Sequence, residues 1–259
     1  MDGAVLTAAA WGLVAASALP IGALAARLSM FSKRTLGAVL AFGAGTLISA
    51  VTFELVEQAF LRADIWPVVA GLGLGAVTFT AGDAAITRVG GRRHRGMGMS
   101  DEATTEPVPG PHRGSGDGGG MVIALGAVLD GIPESLVLGI GLATGDAVSI
   151  TFVVAVFISN VPESIASTRG MLIVGHRFRP VLGLWMAVAG VSAIVAAGGA
   201  MLDGLDQAVI AIVQSFAAGA LLALISDSLL PDAYRDSGLR TGLFVVLGFA
   251  LAFALTSLD

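Results

Sequence analysis

Six residues occur twice in nearly the same form, Asp130-Gly-Ile-Pro-Glu-Ser135 and Ser159-Asn-Val-Pro-Glu-Ser164, each inside an apolar stretch. Their acids are the residues best suited to chemistry. A carboxylate at hydrocarbon depth costs about 2.5–3.5 kcal/mol on insertion scales, so two on neighbouring segments call for a compensating cation. No Lys or Arg is expected within any span to supply it. Asp130 and Glu134, four residues apart, project from one helical face about one turn apart. Ser159 and Glu163 repeat that spacing, and Asn160, Ser164, Ser167 and Thr168 extend a polar stripe. Pro133 has no N–H for the carbonyl of Leu129, nor Pro162 for that of Ile158, so each kink frees a backbone oxygen. Two such stripes packed together make an oxygen-lined cage for a cation.

The elements that position this cage must lie in a bilayer. Hydrophobic residues make up 55% of the 259 and charged residues 13%, with a mean hydropathy of +0.87, far from soluble-domain averages. A hydrocarbon core of about 30 Å takes about 20 helical residues. The chain supplies eight such stretches, near 4–28, 35–60, 66–88, 120–143, 147–174, 178–201, 206–230 and 240–257, within a single transmembrane domain. A β-barrel does not fit, because barrel strands alternate apolar and polar residues whereas these runs are apolar on nearly all faces. The expected fold is all-α and polytopic, in the cell membrane, which is the cytoplasmic membrane if the cell is bacterial. Segment one lacks a basic leading region and is too long for a signal peptide, so it reads as a mature helix.

Basic residues orient the bundle, since Lys and Arg in short loops stay cytoplasmic. Arg27, Lys33 and Arg34 follow segment one; Arg88, Arg92, Arg93, Arg95 and Arg113 follow segment three. Arg169, Arg177 and Arg179 separate segments five and six, and Arg235 and Arg240 separate seven and eight. Arg62 alone falls on the other side, so both termini are expected outside the cytoplasm. The formal charge of −5 gives no case for nucleic acid. Absence of cysteine excludes disulfides, zinc–thiolate sites and thiol catalysis. The polar stretch 90–119, rich in glycine and carrying His94 and His112, reads as a flexible cytoplasmic loop.

Internal repetition adds a constraint. An offset of 29 residues superposes Pro133-Glu134-Ser135 on Pro162-Glu163-Ser164; an offset of 174 matches Ala44-Gly45 and Leu55 with Ala218-Gly219 and Leu229. Segments two and seven, like four and five, then run oppositely through the membrane, the pattern of an inverted-repeat transporter with its site near the midplane. Further acids lie in the spans. Glu54 and Glu57 sit toward the outer end of segment two, Asp83 in segment three, and Asp227 between Ser226 and Ser228 in segment seven. Glu54, Ser135, Ser164 and Asp227 are candidate pathway residues, and Asp83 reads as structural. The stretches Gly71-Leu-Gly-Leu-Gly75 and Ala196-Ala-Gly-Gly-Ala200 suit close helix packing; no Gly-Lys-Ser/Thr follows to make a phosphate loop.

These motifs resemble those of the ZIP (Zrt/Irt-like) divalent metal transporters, over all eight segments. The likeness lies in the paired intramembrane His-Asn/Asp-x-Pro-Glu-Gly motifs, in the Ala-Gly-rich second and seventh helices, the latter ending Leu229-Leu230-Pro231-Asp232, and in the loop after the third. The resemblance implies import of a divalent cation (zinc, manganese, iron or similar) into the cytoplasm through an inverted-repeat bundle. It carries Asp130 to the first motif's histidine position, Gly131 to the Asn that follows and Glu134 to its Glu. Ser159 stands at the second histidine, Asn160 at the amide position and Glu163 at the second Glu. The expected metal set is therefore Asp130, Glu134, Ser159, Asn160 and Glu163. No histidine lies in any span, and an all-oxygen set suits hard ions such as Mn²⁺, Mg²⁺ or Ca²⁺ better than zinc. The metal is the transported substrate, no organic cofactor is expected, and a homodimer stays open. The alternatives are a proton-coupled carrier or a non-transporting homologue with a degenerate site. An intramembrane hydrolase lacks His-Glu-x-x-His or a nucleophile with its base, leaving only a dyad of Asp130 or Glu134 with Glu163, so the chain is not read as an enzyme.

Overall fold

The computed structural model describes residues 2–28, 32–89, 118–143, 149–173, 175–202 and 204–256. Loop positions 90–117, with His94 and His112, lie outside the described residues, as does Asp203. Among the described residues the chain forms helices and no strand. The main ones are α1 (Asp2–Ala16), α2 (Ala18–Leu28), α3 (Lys33–Ala50), α4 (Gln58–Arg62), α5 (Ile65–Val89), α6 (Gly118–Ala143), α7 (Ile150–Ile173), α8 (Phe178–Ala200), α9 (Gln207–Leu224), α10 (Leu230–Ser237) and α11 (Thr241–Thr256). Two π-helical segments, Val51–Glu57 and Ile225–Leu229, prolong α3 and α9.

Seven helical stretches are long and apolar enough to cross a membrane: Gly3–Leu28, Lys33–Arg62, Ile65–Ile86, Gly126–Ala143, Ile150–Ile173, Phe178–Ala200 and Gln207–Thr256. The first six match the expected segments one to six. The last runs for 50 residues and takes in both remaining segments. It is not straight. Gln214 of α9 meets Glu54, and Ala211 packs with Ala59 and Val68, whereas α10 lies at the other end of α3, with Asp236 and Ser237 against Gly37. From there α11 runs parallel to α3, its Val245 at Gly45 and its Thr256 at Glu54. The chain thus reverses at Gly238, whose φ of 65° a side chain would disfavour.

Caps and breaks follow local chemistry. The Ser32 hydroxyl accepts from the Thr35 N–H at 3.1 Å to start α3, and Asp206 Oδ1 accepts from the Ala208 N–H at 2.8 Å to start α9. Between α1 and α2, Pro20 has no N–H to give the Ala16 carbonyl, and the helix breaks at Ser17. At the α10 end, burial holds the Asp236 carboxyl above its usual range, against the pull of nearby Arg235. Unlike the expectation that no basic residue enters a span, Arg169 lies within α7, a turn before its end.

Two helix groups emerge. One holds α3, α5, α9, α10 and α11, the other α1, α2, α6, α7 and α8, and they meet along α3–α7 and α6–α9. In the first group the positions matched by the 174-residue offset have similar surroundings. α3 runs against the parallel helix α11 at Gly45, and α9 against the parallel helix α5 at Gly219, where added Cβ atoms would collide with the backbones of Val245 and Leu72. Each π segment begins six residues beyond its glycine, at Val51 and at Ile225. Such wide turns are rare and open backbone carbonyls to side-chain donors. In the first, Gln214 Nε2 donates to the Glu54 carbonyl at 3.1 Å. Gln214→Leu is expected to lower the thermal unfolding midpoint in detergent by the equivalent of about 1–2 kcal/mol, the usual cost of a buried acceptor losing its donor. An unchanged midpoint would show that this bond does not hold the segment.

Candidate cation site

Three prolines set the geometry of the site. Pro133 and Pro162 lie inside α6 and α7, and Pro20 follows the break between α1 and α2. The helices they distort enclose a cavity of about 20 Å³, completed by α8. One water needs roughly 10–15 Å³ by the same measure, so the space takes a water or two, or a small cation. Its polar wall consists of Asp130, Glu134 and Ser135 from α6, Asn160 and Glu163 from α7, and Ser192 from α8.

Asp130, Glu134, Ser135, Asn160 and Ser192 are buried, while Glu163 is half-buried. Asn160 Nδ2 donates to Glu134 Oε2 at 3.1 Å, joining the two proline-kinked helices through their polar stripes. A polar group in a low-dielectric interior needs such a partner, and the amide fixes which way the carboxylate faces. Ala16, whose carbonyl Pro20 leaves without its usual donor, also lines the cavity. The described donors are all oxygen or amide groups.

Ser159 and Ser164 are placed elsewhere. Ser159 packs against Gly43 of α3, where an added Cβ would come within 2.8 Å of the serine Cα, and its hydroxyl donates to Val156 O at 2.9 Å. Ser164 faces Gly22 and gives its hydroxyl to Val161 O at 3.0 Å. Neither lines the cavity. Ser135 and Ser192 do line it, and neither returns its hydroxyl to its own helix. Ser192 escaped the sequence reading because α8 carries no acid and no motif. Its one signal was a hydroxyl on an otherwise apolar helix, which gives no direction.

The pathway acids lie apart from the cavity. Glu54 Oε1 accepts from Thr256 Oγ1 at 3.3 Å, tying the first π segment to the end of α11. Glu57 and Asp227 are exposed, the latter within the second π segment, and Asp83 is half-buried on α5. His176 lies in the turn between α7 and α8. Among the described residues, no three His, Cys, Asp or Glu side chains gather closely enough to hold a metal by themselves. A cation here would use two carboxylates at most together, with amide, hydroxyl, backbone and water oxygens completing its shell.

Fold and site define a class: a helical protein built for multiple passes through a membrane, with a small carboxylate-lined cavity buried between proline-kinked helices. No protein-family model matches the chain, and no curated protein matches it.

Proposed function

We propose that the protein is a ZIP-like transporter that carries divalent cations across the cytoplasmic membrane into the cell. The single observation behind this reading is the shared cavity of Asp130, Glu134, Asn160 and Glu163, contributed by two helices with the same Pro-Glu pair. A cation offsets the burial cost of these acids, and an oxygen-only shell with few charges binds moderately, as release on the far side requires. Eight spans with both termini outside fit the reversal at Gly238 and the distribution of basic residues. The matched glycine and π segment on the antiparallel α3 and α9 fit an inverted repeat whose two helix groups rock about the site. A shell without nitrogen or sulfur favours Mn²⁺ and other hard ions, with zinc and iron as competitors.

Proteoliposomes loaded with an indicator test the proposal through uptake of Mn²⁺, Zn²⁺, Fe²⁺, Cd²⁺ and Mg²⁺. Saturable uptake of one ion set, abolished by an external chelator, is the expected result. A folded protein that moves none of them overturns it, and a proton current without metal would make it a proton carrier.

Asn160→Ala is expected to raise the KM of uptake about tenfold, in line with about 1.5 kcal/mol for a hydrogen bond to a charged group. Its maximal rate should fall less. Unchanged kinetics would show that the amide does not hold Glu134 in its working position.

A further inference from the structure

The end of the bundle where α2 finishes and α8 begins carries a positive patch on which α2, α8 and the end of α7 place no acid among the described residues. Arg27, in the last turn of α2, places its guanidinium carbon 4.9 Å from the centre of the Phe178 ring. That stacking brings it beside Arg177 and Arg179, which flank Phe178 in the chain. All three arginines are exposed, and none forms an ion pair among the described residues. α2, α8 and the part of α7 beyond Glu163 contain no Asp or Glu. The situation differs at α10, where Asp232 and Asp236 contact Arg235, at 2.8 and 3.8 Å.

A guanidinium stacked on an aromatic ring keeps its N–H edge free for a planar oxyanion, and phosphate suits that edge well. Apolar surface continues from the patch along the helices. Leu28 is 84% exposed and Ile173 68%, with Leu24 and Met186 further along α2 and α8. In a membrane-spanning bundle such side chains face acyl chains, so the arginines sit at headgroup level above them. A free phosphate would make no use of that apolar continuation, whereas a phospholipid uses both parts.

We propose that Arg27, Arg177 and Arg179, organised around Phe178, form a binding site for the headgroup of an anionic phospholipid. The site needs the chain to lie in a membrane but is independent of cation transport. It anchors α2 to α8, two helices of the group that surrounds the cavity.

The test titrates purified full-length protein in detergent with phosphatidylglycerol, phosphatidylcholine or inorganic phosphate and follows the thermal unfolding midpoint. Phosphatidylglycerol should raise the midpoint saturably, and the other two should not. In the triple variant Arg27→Gln, Arg177→Gln, Arg179→Gln the half-maximal lipid concentration should increase about a hundredfold, given about 1 kcal/mol for each basic residue near an anionic headgroup and tenfold per about 1.4 kcal/mol. The double variant Arg177→Gln, Arg179→Gln keeps the Arg27–Phe178 packing and should show a smaller increase in the same direction, which guards against a folding defect in the triple. Arg240→Gln removes an exposed basic residue outside the patch and should respond as wild type. A wild-type response in both patch variants, an Arg240→Gln loss as large as theirs, or an equal effect of inorganic phosphate each overturns the proposal.

Discussion

Cation uptake into proteoliposomes is expected to fall to the protein-free background when Glu134 and Glu163 are both changed to Ala. On the proposed function each carboxylate would contribute a charged contact of about 1.5–3 kcal/mol, so losing both predicts a decrease of roughly 10²–10⁴-fold. Asp130 is then the one acid left in the cavity wall, and the remaining wall groups are neutral. Glu134→Gln separates charge from shape. It keeps the side-chain volume and a carbonyl oxygen that accepts from Asn160, yet removes the charge, so uptake should still drop by about tenfold or more. Uptake that survives the double change, in protein shown to be folded, would put the cation route outside this cavity.

The second large effect is on folding. Gly219→Val and Gly45→Val should each prevent recovery of folded, monodisperse protein from membranes, because the new side chain meets backbone that cannot rotate away. At Gly219 the Cβ alone would contact the carbonyl oxygen of Leu72 and lie 2.8 Å from its carbonyl carbon; at Gly45 it meets Val245 in the same manner. Overpacking typically costs about 1–3 kcal/mol where side chains can adjust, and backbone-to-backbone contact leaves less room to do so. Gly73→Ala is the matching control. It lies on α5 beside the same interface, but nothing stands within 4 Å of its added Cβ, and alanine is the better helix former. Size-exclusion profiles and unfolding midpoints of the three variants decide the matter. Equal recovery of all three would mean that the α3–α11 and α5–α9 contacts are looser than their geometry implies.

Much of the cavity was legible because its chemistry is written into local motifs. A Pro and a Glu in sequence, twice, identify a kink and an acid without any neighbour being known, and four-residue spacing places Asp130 with Glu134. Ser159 shows where this stops. It shares the spacing of Glu163 and so its side of α7, but one turn along the helix Gly43 lets the α3 backbone close over it. The hydroxyl then bonds to its own helix rather than to the cavity. Ser192 shows the reverse, a residue without a motif that gains a place in the wall because Gly131 of α6 passes close to it.

The amino-acid sequence by itself determined that the chain is apolar and helical, where its prolines interrupt hydrogen bonding, and which acids lie inside its helices. These are properties of composition and of one helix about its own axis, which periodicity and missing N–H groups fix locally. The tertiary structure alone decided which side of each polar stripe meets the cavity, the π segments, and the contact of Gln214 with the first of them. Each depends on which neighbour a helix face meets. That choice rests on how closely small residues such as Gly43, Gly45 and Gly219 allow two backbones to approach, and close approach is a property of the pair rather than of either segment.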